Sequence, residues 1–110
     1  MTERFRVNYS PEALDDLKKI YSYIAFALKE NRIASNQVNR IRSSIRSLDT
    51  FPGRYAAVEW EPWASMGMHK LPVNNYVVFY LVDDASREVE IARIFYGGRD
   101  IEGVVNSEDE

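Results

Sequence analysis

At 110 residues and 12.8 kDa, with 45% hydrophobic and 13% aromatic side chains, the chain has room for one modest core and no second domain. It has no cysteine, which excludes a disulfide framework and a thiolate metal site and suits a reducing cytoplasm. The net charge of -3 hides an uneven distribution: Asp100, Glu102, Glu108, Asp109 and Glu110 crowd the last eleven residues without a base, leaving 14 bases against 12 acids elsewhere. No apolar run approaches the roughly 20 residues of a membrane span, and Met1 to Tyr9 lacks the apolar centre of a signal peptide. The expectation is a cytoplasmic protein with no membrane partner.

Phe5 to Tyr9 alternates apolar and polar residues and reads as a short strand. Ser10-Pro11-Glu12 then announces a helix, since serine caps free N–H groups, proline suits the first helical position, and Glu12, Asp15 and Asp16 favour the positive end of the dipole. Leu14, Leu17, Tyr21, Ile24, Ala25 and Leu28 follow at helical spacing and predict one apolar stripe running to about Lys29. Asn31 and Arg32 read as a short connection, after which Ala34, Val38, Ile41, Ile45 and Leu48 mark a second amphipathic helix to about Asp49. So short a loop predicts an antiparallel helical hairpin, whose combined apolar stripe needs a sheet to cover it.

Pro52 and Gly53 stop the second helix, and Tyr55 to Ser65 has no clean period and reads as a loop. Gly67 to Val73 begins the main sheet. Tyr76 to Val82 is wholly aromatic, β-branched or leucine, the composition of an internal strand with both faces covered. Asp83 to Glu88 supplies turn formers, and Val89 to Tyr96 completes an antiparallel hairpin. The chain therefore predicts an α+β domain over residues 1–101, in the order β, α, α, β, β, β. Its helices should pack on one face of a mainly antiparallel sheet. Residues 102–110 read as an acidic, disordered tail.

No nucleotide-binding glycine loop, nucleophile elbow or metal-ligand spacing is present. His69 is the only histidine, which excludes a histidine pair; it could act alone as acid or base, or serve as a satisfied structural residue. Between Arg32 and Arg54 five arginines face the single acid Asp49. Among them Arg40, Arg42 and Arg46 are candidates for meeting a partner, although such a run also describes a solvated helix face. Trp60 and Trp63 are candidate anchors by the same logic, against the alternative that they tuck into the domain's own core.

Asn75 to Asp84, NYVVFYLVDD, followed by Val89 to Ile101, VEIARIFYGGRDI, and preceded by Gly67 to Val73, GMHKLPV, resembles the RelE/ParE superfamily, toxins of bacterial type II toxin–antitoxin systems. With the two helices, the resemblance spans about Phe5 to Ile101. It implies a toxin that a small cognate antitoxin wraps and silences, with the apolar groove between sheet and helices as the docking surface. In the RelE branch basic residues cleave ribosome-bound message without a metal. Lys70 and Arg99 match two of that branch's positions. Val77 stands where an arginine is expected, Val105 falls near the place of a tyrosine, and Gly97-Gly98 stands where a YoeB-like branch has His-Tyr. His69, Tyr80, Arg93 and Tyr96 are the nearby substitutes, and strand alternation sets Arg93 and Tyr96 on opposite faces.

The pattern YVVFY with RIFYGGRD resembles the ParE branch more closely, and that resemblance implies a growth inhibitor that binds DNA gyrase. The alternative is a ribosome-dependent mRNA endonuclease using Lys70, His69 and Arg99, and a third possibility is a degenerate toxin kept as a binding module. The expected partner-facing residues are Arg40, Arg42, Arg46, Trp60, Trp63, Tyr80, Arg93 and Tyr96, with neither cofactor nor metal.

Overall fold

In the computed structural model, which describes residues 4–98 and 100–108, Ser10 turns the first strand into the first helix. Strand β1, Arg6–Tyr9, ends there. The Ser10 hydroxyl accepts the Ala13 N–H at 3.0 Å and donates to the Ala92 carbonyl at 2.8 Å, while Pro11 fills the first helical position. Helix α1, Pro11–Ser22, does not continue regularly to Lys29. Tyr23–Ala27 widens into a π turn closed by the Leu28 N–H on the Tyr23 carbonyl, and Lys29 adopts a φ of 58° before helix α2, Asn31–Arg46. Asn31, expected in the connection, already belongs to α2.

The face that α1 buries carries Ala13, Asp16 and Leu17, so Leu14 is exposed; within the π turn Ile24 and Ala25 are buried, and just past it Leu28 is exposed. One continuous stripe was the expectation, and the π turn splits it by adding a residue to the turn. In α2 the spacing holds: Ala34, Ile41, Ile45 and, in the following 3-10 turn Ser47–Asp49, Leu48 are all buried.

Strands β2, His69–Val73, β3, Tyr76–Asp83, and β4, Glu88–Tyr96, form an antiparallel meander. Strand β1 joins its far edge parallel to β4, with Arg6 opposite Glu88 and Tyr9 opposite Ile91, giving the order β1-β4-β3-β2. β3 thus lies inside the sheet, as its composition predicts. Tyr80 pairs with Ile91 and Phe79 with Arg93, so Ala92 is the extra residue of a bulge. The bulge puts both Ile91 and Ile94 on the helix side, where Leu17, Ile41, Ile45 and Leu48 pack on Leu71, Val78, Tyr80 and Val89.

The opposite face carries its own core. Helix α3, Trp63–Met66, lies inside the stretch expected to be a loop, and helix α4 spans Ile101–Glu108. Together they close over Val58, Met68, Phe79 and Phe95, with Val105 buried among them. Residues 102–108 therefore depart from the expected disordered tail. Ile101, Val104 and Val105 recur at helical spacing against the sheet, and Asp100 accepts the Gly103 N–H at 3.2 Å to start the helix. Among the described residues no helix is long and apolar enough to cross a membrane.

Candidate apolar docking groove

At the tip of the helical hairpin the apolar side chains outrun the sheet. Tyr23, Leu28 and Ile33 are between 52% and 60% exposed, Phe26 is 72% exposed, and Tyr96 at the end of β4 is 50% exposed. Beside them lies a groove of about 710 Å³, walled by Asp16, Lys19, Ile20, Tyr23, Ile24, Leu28, Ile33 and Gln37 from the helices. Asn75, Tyr76, Ile94, Phe95 and Tyr96 form the sheet wall. The π turn supplies Tyr23 and Ile24 to the helical wall and leaves Phe26 exposed beside it, while Ile24 and Ala25 close a small core with Ala34. At the sheet wall Tyr76 and Tyr96 meet edge to face, ring centres 5.9 Å apart. Burial, and after it the neighbouring Tyr96 and Tyr23, push the Tyr76 phenol above its ordinary value.

Asp16 anchors the inner end of the groove. It is 6% exposed, and its carboxylate accepts from Arg93 Nε at 2.9 Å, from Arg93 Nη2 at 3.2 Å and from the Ile94 N–H at 2.9 Å. Strand β1 stops at Tyr9, so the β4 edge beyond Ile91 has no neighbouring strand, and α1 supplies an acceptor in its place. The pair clamps α1 to β4 where the groove begins.

Of the predicted residues that are described, only Tyr96 lines the groove. Arg40 donates to Asn74 Oδ1 at 3.4 Å. Arg42 lies over the Tyr9 ring at 5.6 Å, and with Arg46 it borders a hollow of about 200 Å³ beside Val7 and Ile45. Burial pushes the Tyr9 phenol up, and the nearby Arg42 and Arg46 partly offset it. Trp60 and Trp63 stack on each other at 5.0 Å and meet Phe79 edge-on at 6.3 Å and tilted at 4.7 Å, with Trp63 only 7% exposed, so both join the second core. Tyr80 is fully buried and donates to the Pro52 carbonyl, and burial pushes its phenol up to about 12.

His69 stacks on Tyr80 at 5.3 Å, with Nδ1 3.0 Å from the Tyr55 carbonyl; a carbonyl only accepts, so Nδ1 carries the proton. Its neighbour Lys70 pairs with Phe79 and is exposed on the other face of the sheet. Arg99 lies outside the described residues. Thus the strand separates Lys70 from His69, whereas the fold gathers Tyr96 with Tyr23, Leu28, Ile33 and Gln37, none of which sequence reasoning singled out. A signal was present: Tyr21, Tyr23 and Phe26 crowd three aromatics into six residues, more than one helical stripe can bury.

An open apolar trough with a polar rim suits the apolar side of an amphipathic segment. Residues 7–101 match the family described as ParE toxin of type II toxin–antitoxin system, parDE. No curated protein sequence matches the chain. Among solved structures, the chromosomal ParDE toxin–antitoxin system from P. aeruginosa superposes with a TM-score of 0.69 at 20% identity, covering 86% of this chain and 98% of that one. The RelBE2 toxin–antitoxin complex from Mycobacterium tuberculosis gives 0.60 at 20% identity, covering 84% and 91%. The archaeal RelE–RelB complex from Pyrococcus horikoshii OT3 gives 0.59 at 17%, covering 90% and 99%. These likenesses are of fold.

Proposed function

The chain belongs to the ParE toxins of type II toxin–antitoxin systems, and from that premise we propose that it arrests growth by binding DNA gyrase. In the same reading, a cognate antitoxin silences it by laying an apolar segment in the groove between the helical hairpin and the sheet. The groove supports the antitoxin half of the proposal, because four large apolar side chains that line it, Tyr23, Leu28, Ile33 and Tyr96, are at least half exposed and no element of this chain covers them among the described residues.

Binding in place of RNA cleavage rests on one observation: Lys70 and His69 occupy opposite faces of the sheet. A phosphodiester transfer needs a base, an acid and a cation converging within hydrogen-bond reach of one phosphate. Tyr80 is turned inward and Arg93 is held by Asp16, so neither substitutes. Binding to a protein target requires no such convergence.

The test is gyrase supercoiling with purified toxin, run beside ribosomes carrying a defined message. Stalled supercoiling with intact message, relieved by the antitoxin, is the expected result. New message ends within ribosome-bound codons and undisturbed supercoiling would replace this reading by an mRNA endonuclease, with Lys70 the first residue to mutate.

A further inference from the structure

At the end of the hairpin away from the groove, the small hollow between β1 and α2 is bordered by Val7, Tyr9, Arg42, Ile45 and Arg46. Val7 and Tyr9 turn to the helix side of the sheet, at the margin of the main core, and Ile45 closes the floor from α2. Arg42 and Arg46 each follow a buried isoleucine, Ile41 and Ile45, so they stand one helical turn apart at the flank of the buried stripe, and both are exposed. Their surroundings set them apart from other arginines of the chain. Arg4 meets Asp49, Arg6 meets Glu88 and Arg93 is held by Asp16. Arg42 has only its contact over the Tyr9 ring, Arg46 makes no hydrogen bond or ion pair, and no carboxylate lines the hollow among the described residues.

Lying over the ring, the Arg42 guanidinium spends a face and keeps its N–H donors. Two like charges at this helical spacing repel each other, and an anion between them reverses the sign of that interaction. The Tyr9 phenol, raised above its ordinary value by burial, stays protonated at neutral pH and adds an O–H donor, and both guanidinium groups lie close enough to act on it electrostatically. We propose that Tyr9, Arg42 and Arg46 form a phosphate-binding site, in which the two guanidinium groups clasp the oxygens of one phosphate group and the phenol donates to another of its oxygens. Planar guanidinium donors suit the paired oxygens of a phosphate. The one ring that lines the hollow among the described residues is already covered by Arg42, which leaves no platform for a base. Recognition is therefore of the phosphate alone, without base preference. The site shares no lining residue with the apolar groove, and the proposal rests on neither the antitoxin nor the gyrase reading.

Inorganic phosphate is titrated into nitrogen-15-labelled full-length toxin, with chloride holding the ionic strength constant. The Arg42 and Arg46 Nε–H signals and the Val7 and Tyr9 amides should move together and saturate. Arg42→Gln and Arg46→Gln should each weaken binding roughly tenfold, and Tyr9→Phe, which keeps the ring and loses the hydroxyl, roughly threefold. Arg32→Gln removes an exposed charge from the start of the same helix and should leave binding unchanged, which separates a built site from general surface charge. A short DNA duplex then identifies the source of the phosphate. Binding at least about tenfold tighter than inorganic phosphate, and lost in Arg42→Gln and Arg46→Gln, assigns the site to a nucleic-acid backbone; any other result assigns it to a free phosphate. Signals that never saturate with inorganic phosphate, or equal weakening by Arg32→Gln and Arg42→Gln, would overturn the proposal.

Discussion

The two ends of the helical hairpin are made of similar residues and have opposite fates. At the closed end Ala13, Leu17, Ile41, Ile45 and Leu48 are at most 3% exposed, because the sheet lies under them. At the open tip Tyr23, Phe26, Leu28 and Ile33 belong to the same two helices and stand more than half exposed. Helical periodicity is a property of the chain, and burial is a property of what lies opposite. The difference teaches where to look for a partner: at the point where an amphipathic hairpin extends past its own sheet, apolar side chains are left with nothing opposite them among the described residues.

The contrast can be broken most severely from the closed end. Ile41→Ala should cost about 2–5 kcal/mol of stability in urea unfolding, as large-to-small changes in a packed core do. Asp16→Ala, at the boundary between the two ends, should cost about 2–4 kcal/mol, since Arg93 and the Ile94 N–H lose their acceptor in a pair that still touches some water.

A pH-dependent test sharpens the same side. Tyr80 has a phenol raised from 10.0 to about 12, so its neutral form is favoured by the fold. Below the unfolded value that stability is fully present, and it is lost as pH rises from about 10 through about 12. Tyr80→Phe should flatten the fall in the urea midpoint across that window, an effect of up to ~2–3 kcal/mol. Smallest is the expected cost at the open tip. Ile33→Ser should change stability by less than about 0.5 kcal/mol, while weakening antitoxin binding in calorimetry. A large loss of stability there would mean that the tip is part of the core after all.

Most of the fold can be read from local pattern. Ser10-Pro11 starts α1, the spacing of Ala34, Ile41, Ile45 and Leu48 marks the buried face of α2, and the unbroken apolar run of β3 announces a strand covered on both sides. What escapes is settled by contacts far apart in sequence. The Ala92 bulge exists to seat Ser10 and Asp16 against β4, and nothing in VEIARIFY announces it. Asp16 looks like one more acid in the first turns of a helix until Arg93 is brought beside it, 77 residues away. Helix α4 reads as a solvated tail because its three apolar residues are outnumbered locally, yet Ile101, Val104 and Val105 suffice once Phe79 and Phe95 lie opposite.

The site was legible in outline and not in its residues. A groove between helices and sheet follows from the layer architecture, but its helical wall depends on the π turn, which supplies Tyr23 and Ile24 to it. Residues singled out by type alone fared differently. Trp60, Trp63 and Tyr80 are large and apolar enough that the core claims them, and only Tyr96, at the end of its strand, remains in the groove.

The parallel pairing of β1 with β4 governs when, during synthesis, the protein comes into being. β1 leaves the ribosome some eighty residues before its partner Glu88–Ile91 is made. Until then β1 has no neighbour, Asp16 has no Arg93, and the groove has only the Asn75 and Tyr76 part of its sheet wall, because Ile94, Phe95 and Tyr96 do not yet exist. The contacts that finish the domain are all long in sequence, so the chain cannot assemble piecemeal from its start. Nascent chains arrested before Glu88 are accordingly expected to be cut by protease throughout the hairpin, and those released after Tyr96 to resist. The sheet edge that pairs with β1 and the wall of the groove are thus completed together, only once Tyr96 has been made.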